Sequence, residues 1–153
     1  VLATAVAAAA PEVPVRSGRG HLTVLLSGTS SDAHTWNLVY LQLLLEEAGH
    51  AVANLGACVP DDLLIDRCRD LRPDLLVMSS VNGHGRHDAA RAARRLRQCP
   101  QTAGVPAVIG GKLGIAGRPN SRLAPELLAA GFDRVFGEQV SELLAYAATV
   151  PAR

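Results

Sequence analysis

The sequence predicts a doubly wound α/β fold, a five-stranded parallel sheet with strand order 2-1-3-4-5. Three observations carry this. From residue 21 onward, short apolar runs alternate with amphipathic stretches of helical period, five of each, the pattern of a parallel sheet whose crossovers are helices. Such crossovers are right-handed, which leaves few ways to lay the strands side by side, and 2-1-3-4-5 is the common order for a small sheet of this kind. The third run holds Leu75, Leu76, Val77 and Met78 in succession, as expected of a central strand covered on both faces.

The elements follow in order. Residues 21–26 read as the first strand. Residues 36–48 read as a helix with Leu38, Leu41, Leu45 and Ala48 on one stripe and Gly49 as its stop. Residues 51–55 form the second strand. Pro60 opens a helix over 61–71, at a position where a missing N–H costs nothing. The third strand spans 74–79 and the third helix 87–98. The fourth strand spans 105–109, and the fourth helix, 121–130, stops at Gly131. A short fifth strand at 134–136 and a helix over 138–148 close the chain.

At 153 residues this is one domain. With 48% hydrophobic but only 3% aromatic residues, aliphatic side chains must do the packing. The net charge of +1 gives no electrostatic case for nucleic acid or a membrane surface. Arg91, Arg94, Arg95 and Arg97 lie at helical spacing and read as one solvated helix face. Cys58, Cys68 and Cys99 are odd in number and show no C-x-x-C spacing, which argues against a zinc site and fits a reduced, cytoplasmic setting. Residues 1–10 are apolar and Ala-rich, too few to cross a bilayer and without a basic flank. With Pro11, Pro14, Ser17, Gly18 and Gly20 behind them, residues 1–20 read as a flexible tail and 21–153 as the folded domain.

The chemistry gathers on three loops. The first, 27–34, ends in Asp32-Ala33-His34; the second, 79–85, is rich in Ser, Asn and Gly; the third, 110–114, begins Gly110-Gly111-Lys112. In the order 2-1-3-4-5 all three leave the carboxyl edge side by side, where such folds bind ligands. Loops two and five carry no comparable cluster. A carboxylate two residues from an imidazole can fix its ring and tautomer, which a metal-ligating histidine needs. Duller explanations exist for each feature. Asp32 can cap the next helix, Ser79 and Ser80 can satisfy strand-end backbone, Gly110-Gly111 can be a plain turn, and a lone histidine is commonly solvated. Their coincidence on three adjacent loops favours a ligand site.

Taken together, Asp32-Ala33-His34-Thr35-Trp36-Asn37, Ser79-Ser80-Val81 and Gly110-Gly111 resemble the Asp-x-His-x-x-Gly, Ser-x-Leu and Gly-Gly signature of the cobalamin-binding domain family. Asn54-Leu55-Gly56, Pro60-Asp61-Asp62-Leu63 and residues 131–136 are similar to the small subunits of glutamate mutase (methylaspartate mutase) within it. The resemblance covers residues 21–136 and implies a flavodoxin-like sheet. It implies that His34 replaces the cofactor's dimethylbenzimidazole as lower cobalt ligand, with Asp32 accepting from its other nitrogen. It also implies a slot for the displaced nucleotide tail beside the third and fourth strands, with Ser79 bonded to the tail base and Gly110 and Gly111 allowing close approach. The implied cofactor-binding set is Ser30, Ser31, Asp32, Ala33, His34, Thr35 and Asn37, then Ser79, Val81, Asn82 and Gly83, then Gly110, Gly111 and Lys112.

The activity so implied is that of an adenosylcobalamin-dependent carbon-skeleton mutase, an isomerase converting glutamate to 3-methylaspartate. This chain would be its cobalamin subunit, inactive alone, with a separate (β/α)₈-barrel subunit holding substrate. The alternative is a corrinoid carrier for methyl transfer, which shares the Asp-x-His motif but ordinarily carries a helical cap ahead of it. A flavin-phosphate site is disfavoured because Trp36 is the only aromatic near the first loop. A receiver domain is disfavoured because Ser79-Ser80 stands where its phospho-acceptor Asp belongs. Three positions depart from the family pattern. Asn37 replaces the signature glycine and adds bulk beside the tail, Val81 replaces Leu, and Asn82 replaces an aromatic residue.

Overall fold

The computed structural model describes residues 20–114 and 120–153. All but one residue of the tail expected over 1–20 lies outside these. The chain runs β1 (Thr23–Gly28), α1 (Trp36–Glu47), β2 (Ala51–Asn54), α2 (Asp61–Leu71), β3 (Leu75–Ser80), α3 (Gly85–Gln98), β4 (Ala107–Gly111), a 3₁₀ turn (Asn120–Arg122), α4 (Ala124–Ala130), β5 (Arg134–Val135) and α5 (Val140–Ala147). The strands are parallel and ordered β2-β1-β3-β4-β5, as the sequence predicts.

Successive side chains of a strand point to opposite faces, so each strand feeds two cores. Leu25, Leu76, Met78 and Ile109 pack under α2, α3 and α4 with Leu64, Leu96 and Leu127. Val24, Leu26, Leu75, Val77 and Val108 pack under α1 and α5 with Leu38, Leu45 and Leu143. Every residue of β3 is buried, as its uninterrupted apolar run requires.

Most element bounds shift by one or two residues from expectation, and three of the differences have a clear local reason. β1 runs two residues further, because Ser27 and Gly28 stay in register with Met78 and Ser79 and the Gly28 N–H donates to Gly56 O at 2.9 Å. These small residues read as loop on hydrophobicity, yet Ser27 is fully buried. β4 starts after Pro106, which has no N–H for the ladder, and extends through both glycines. The helix expected over 121–130 is split into the 3₁₀ turn and α4. Pro125 belongs in the first turn of a helix and would break one begun at 121.

The arginine row is not a plain solvated face. Arg97 donates to Gly131 O, Ala103 O and Val105 O at 2.7–2.8 Å and to Asp133 at 3.0 Å, tying α3 to the neighbouring loops. Arg91, Arg94 and Arg95 keep to the exposed row, Arg91 while bonded to Asp61, Asp88 and Ser30 and Arg95 while paired with Asp62.

Candidate functional site

The three expected loops do meet at the carboxyl edge, and one buried carboxylate joins two of them. Asp32 is 1% exposed. Its Oδ1 accepts from the His34 backbone N–H at 2.9 Å and from the His34 ring Nδ1–H at 2.6 Å. Its Oδ2 accepts from the Ser80 hydroxyl and from the Val81 N–H, both at 2.7 Å. Burial pushes this carboxyl up, but the bonds from His34, Ser80 and Val81 outweigh that and hold it at about 2. Asp32 is therefore ionised at neutral pH and cannot donate, so the proton of the bond belongs to Nδ1. The tautomer is fixed, and Nε2 carries the free lone pair of the neutral ring. The His34 side chain is 62% exposed against 1% for Asp32. An anchored carboxylate thus holds an imidazole whose far nitrogen is open to a ligand. Asp32 is not a helix cap: Thr35 holds the N-cap position of α1, with no side-chain capping bond.

The loop that carries this pair is pinned from α3 and from the second loop. Ser31 donates to Asp88, Ser30 accepts from Arg91 at 2.8 Å, and Asn82 donates to Ser31 O at 3.2 Å. Burial raises the Asp88 carboxyl, but the Ser31 hydroxyl and the Arg91 guanidinium beside it hold it below its usual range. Gly83, at φ +77°, donates to Lys112 O at 3.3 Å and links the second loop to the third. Ala33 is exposed and makes no side-chain bond.

Beside the pair lies a cavity of about 180 Å³. Asn37, Ser79, Val81, Gly110, Gly111 and Lys112, all expected site residues, line it. Ser30, Ser31, Asp32, Ala33, His34, Thr35, Asn82 and Gly83 lie outside its lining, on the edge that carries the imidazole. The two groups share one edge but do different jobs there.

Sequence reading missed part of both groups. Ser80, fully buried on Asp32, was weighed only as a backbone partner. Tyr40, Leu41, Phe136, Gln139 and Leu143 are among the further residues of the cavity wall, so the loop after β5 joins the site although it carries no Gly, Ser or His cluster of note. Asn120 fixes that corner by donating to Gly111 O at 2.6 Å and Phe136 O at 2.9 Å. The one available signal was apolar spacing on α1 and α5, which reads equally well as core.

The glycines are required by the protein's own backbone. Gly111 sits at φ +103°, and a Cβ there would overlap the carbonyl oxygen of Ser80. A Cβ on Gly110 would press on Phe136 at 3.3 Å. Gly111→Ala is expected to destabilise the fold by about 2–3 kcal/mol, from the unfavourable φ and the clash together, as read by urea unfolding. A loss below about 0.5 kcal/mol would mean that the β4 end relaxes freely.

The residues that line the cavity offer polar as well as apolar groups to a ligand. Among the described residues, two buried side-chain oxygens lack a partner, Thr29 Oγ1 and Asn37 Oδ1. Thr29 belongs to the first loop, and Asn37, just beyond it, lines the cavity. A buried acceptor without a donor is costly unless something else supplies one. No group of three or more His, Cys, Asp or Glu able to cage a metal occurs among the described residues. No helix among them is long and apolar enough to cross a membrane.

Comparison with known proteins places the chain in a family. The B12 binding domain family model matches residues 22–147. The chain is 34% identical over 119 residues to the glutamate mutase sigma subunit of Halobacterium salinarum, covering 76% of this chain and 77% of that one. It is 29% identical to the glutamate mutase sigma subunit 2 of Haloarcula marismortui, covering 76% and 78%. Among solved structures, a cobalamin-binding protein from Desulfitobacterium hafniense superposes with a TM-score of 0.69 at 16% identity, over 82% of this chain and 57% of that one. The receiver domain of the sensor histidine kinase PA1611 from Pseudomonas aeruginosa superposes at 0.61 and 16% identity, over 83% and 94%. These likenesses establish the shared fold, and the chain spans little more than half of the Desulfitobacterium protein. Matched from Leu22 to Ala147, the chain belongs to the B12 binding domain family and stands within it among the glutamate mutase sigma subunits.

Proposed function

We propose that this chain is the cobalamin-binding subunit of an adenosylcobalamin-dependent mutase of the glutamate mutase type, with His34 as the lower ligand of cobalt. The observation that carries the reading is the Asp32–His34 pair, its Nδ1–H held at 2.6 Å and its Nε2 edge open beside the cavity. When bound, the cofactor supplies the radical chemistry of a reversible 1,2-rearrangement. The chain itself holds and orients. Asp32 keeps the proton on Nδ1 and so keeps the Nε2 lone pair directed outward. Ser80 and Val81 keep Asp32 ionised and in place. The cavity between α1, β3, β4 and α5 would hold the cofactor's nucleotide tail, with Ser79 and Asn37 on its wall.

The sigma-subunit likeness supports a separate partner subunit, which in this reading is a (β/α)₈ barrel that binds glutamate. A protein partner also suits α1, whose Trp36, Val39, Tyr40 and Leu43 are exposed at helical spacing next to the His34 loop. The expected result is interconversion of glutamate and 3-methylaspartate only when this chain, the barrel subunit and adenosylcobalamin are combined. Full activity of the barrel subunit with the cofactor alone would overturn the assignment.

A further inference from the structure

We infer that Arg91 is a positioning residue for cobalt ligation, acting through Ser30 and Asp88 to hold the His34 loop in its ligating shape before the cofactor arrives. This role rests on the cofactor reading above, with His34 as the lower ligand, and names a distant residue on which that ligand depends.

The loop has no hydrophobic anchor. Between Gly28 and Leu38 the only apolar side chains are Ala33 and Trp36, and both are exposed. A segment with so little buried hydrocarbon opens easily, so polar bonds must give it its shape. The Asp32 carboxylate holds the histidine end, and the Cys58 N–H donates to Asp32 O at 2.9 Å. The serine end is held by Arg91 and Asp88 of α3, with one bond from Asn82 to Ser31 O at 3.2 Å. Arg91 uses all three of its guanidinium nitrogens. Nε and Nη2 donate to the two oxygens of Asp61 at 2.6 and 3.2 Å. Nη1 donates to Asp88 Oδ1 at 2.9 Å, and Nη2 also donates to Ser30 Oγ at 2.8 Å. The other oxygen of Asp88 accepts from the Ser31 hydroxyl. One cation thus stands on the first residue of α2 and grips two successive residues of the loop.

A plain tie between α2 and α3 would explain the bonds to Asp61 and nothing more. Ser30 lies in neither helix, and Asp88 sits one turn before Arg91 on the same helix. Those two bonds add nothing to the tie; their effect falls on the loop. Isolated surface ion pairs contribute little, but here the Asp61 and Asp88 side chains are only 8% and 16% exposed, against 50% for Arg91. The planar fork also fixes direction as well as charge. A loop already shaped in the free chain loses less conformational freedom when its imidazole meets the metal, so affinity rises without any new contact to the ligand.

The test is equilibrium dialysis of the full chain against adenosylcobalamin, for wild type, Arg91→Lys and Ser30→Ala, and for the same two substitutions placed in His34→Ala. Lysine keeps a positive charge between Asp61 and Asp88, so the fold survives, but one nitrogen cannot replace a three-armed plane. Ser30→Ala removes the loop end of the same bond. Each substitution is expected to weaken binding about fivefold, and adding Ser30→Ala to Arg91→Lys should cost nothing further. In the His34→Ala background both should be without effect, because there is no ligand left to position. A contribution to stability, or a direct contact with the cofactor, would persist in that background. Wild-type affinity in Arg91→Lys, or a loss of the same size when His34 is absent, would overturn the positioning role and leave the cofactor reading standing. Binding that His34→Ala does not weaken would overturn both.

Discussion

Replacing His34 by alanine is expected to remove the protein nitrogen from the cobalt. The clean observation is the electron paramagnetic resonance spectrum of the Co(II) form bound to uniformly ¹⁵N-labelled chain. In wild type a single ¹⁵N ligand should split the lines into doublets. In His34→Ala the doublets should vanish, leaving no nitrogen coupling or the triplets of the cofactor's own unlabelled base. Labelling matters because a benzimidazole that returns to the metal would otherwise imitate the lost imidazole. Affinity should fall by more than the roughly 10–100-fold typical of losing a partner one step further from the metal. The fold should not suffer, because the ring is 62% exposed and makes its one side-chain bond to Asp32. Doublets that persist in the variant would assign the ligand to another residue.

The sheet was legible because its evidence is redundant. The buried run of β3, the Gly stops and the helical stripes of Leu38 and Leu45 all point to one arrangement, and none depends on a distant partner. The Asp32–His34 pair was legible because its two members are two residues apart, so local geometry alone brings them together. What the sequence did not disclose depends on partners far along the chain. Ser80 meets Asp32 across 48 positions, and Arg91 meets Ser30 across 61. A serine at a strand end and an arginine on a helix are ordinary by themselves, and topology alone pairs them. Phe136 and Leu143 were hidden for a different reason. A cavity wall of aliphatic and aromatic side chains has the same pattern as core, and only the space left beside it tells them apart. Gly111 is instructive in the opposite sense. Its type was read as an accommodation to a ligand, whereas the Ser80 carbonyl already excludes a side chain there.

Asp32→Asn should cost more stability than so small a change suggests, about 2–4 kcal/mol by chemical unfolding at neutral pH. The reason is the arrangement of donors. Each carboxylate oxygen faces one backbone N–H that cannot turn away, His34 N–H at Oδ1 and Val81 N–H at Oδ2. An amide must place its NH₂ on one side or the other, so it sets donor against donor whichever way it lies. The Ser80 hydroxyl can rotate to accept, but the backbone groups cannot, and one is left buried without a partner. The same change frees the His34 ring to take either tautomer, so cofactor affinity should drop about 10–100-fold. A pH series separates the lost charge from a packing defect. The wild-type carboxyl is held at about 2, below its usual 3.8. A group depressed in the folded state contributes stability that is complete above its unfolded value and is lost as pH falls through its folded value. That contribution is about 2 kcal/mol. The stability gap between wild type and Asp32→Asn should therefore narrow by about that amount between pH 4 and pH 2. A gap that stays constant over this range would mean that Asp32 stabilises the chain through its shape and not through its charge.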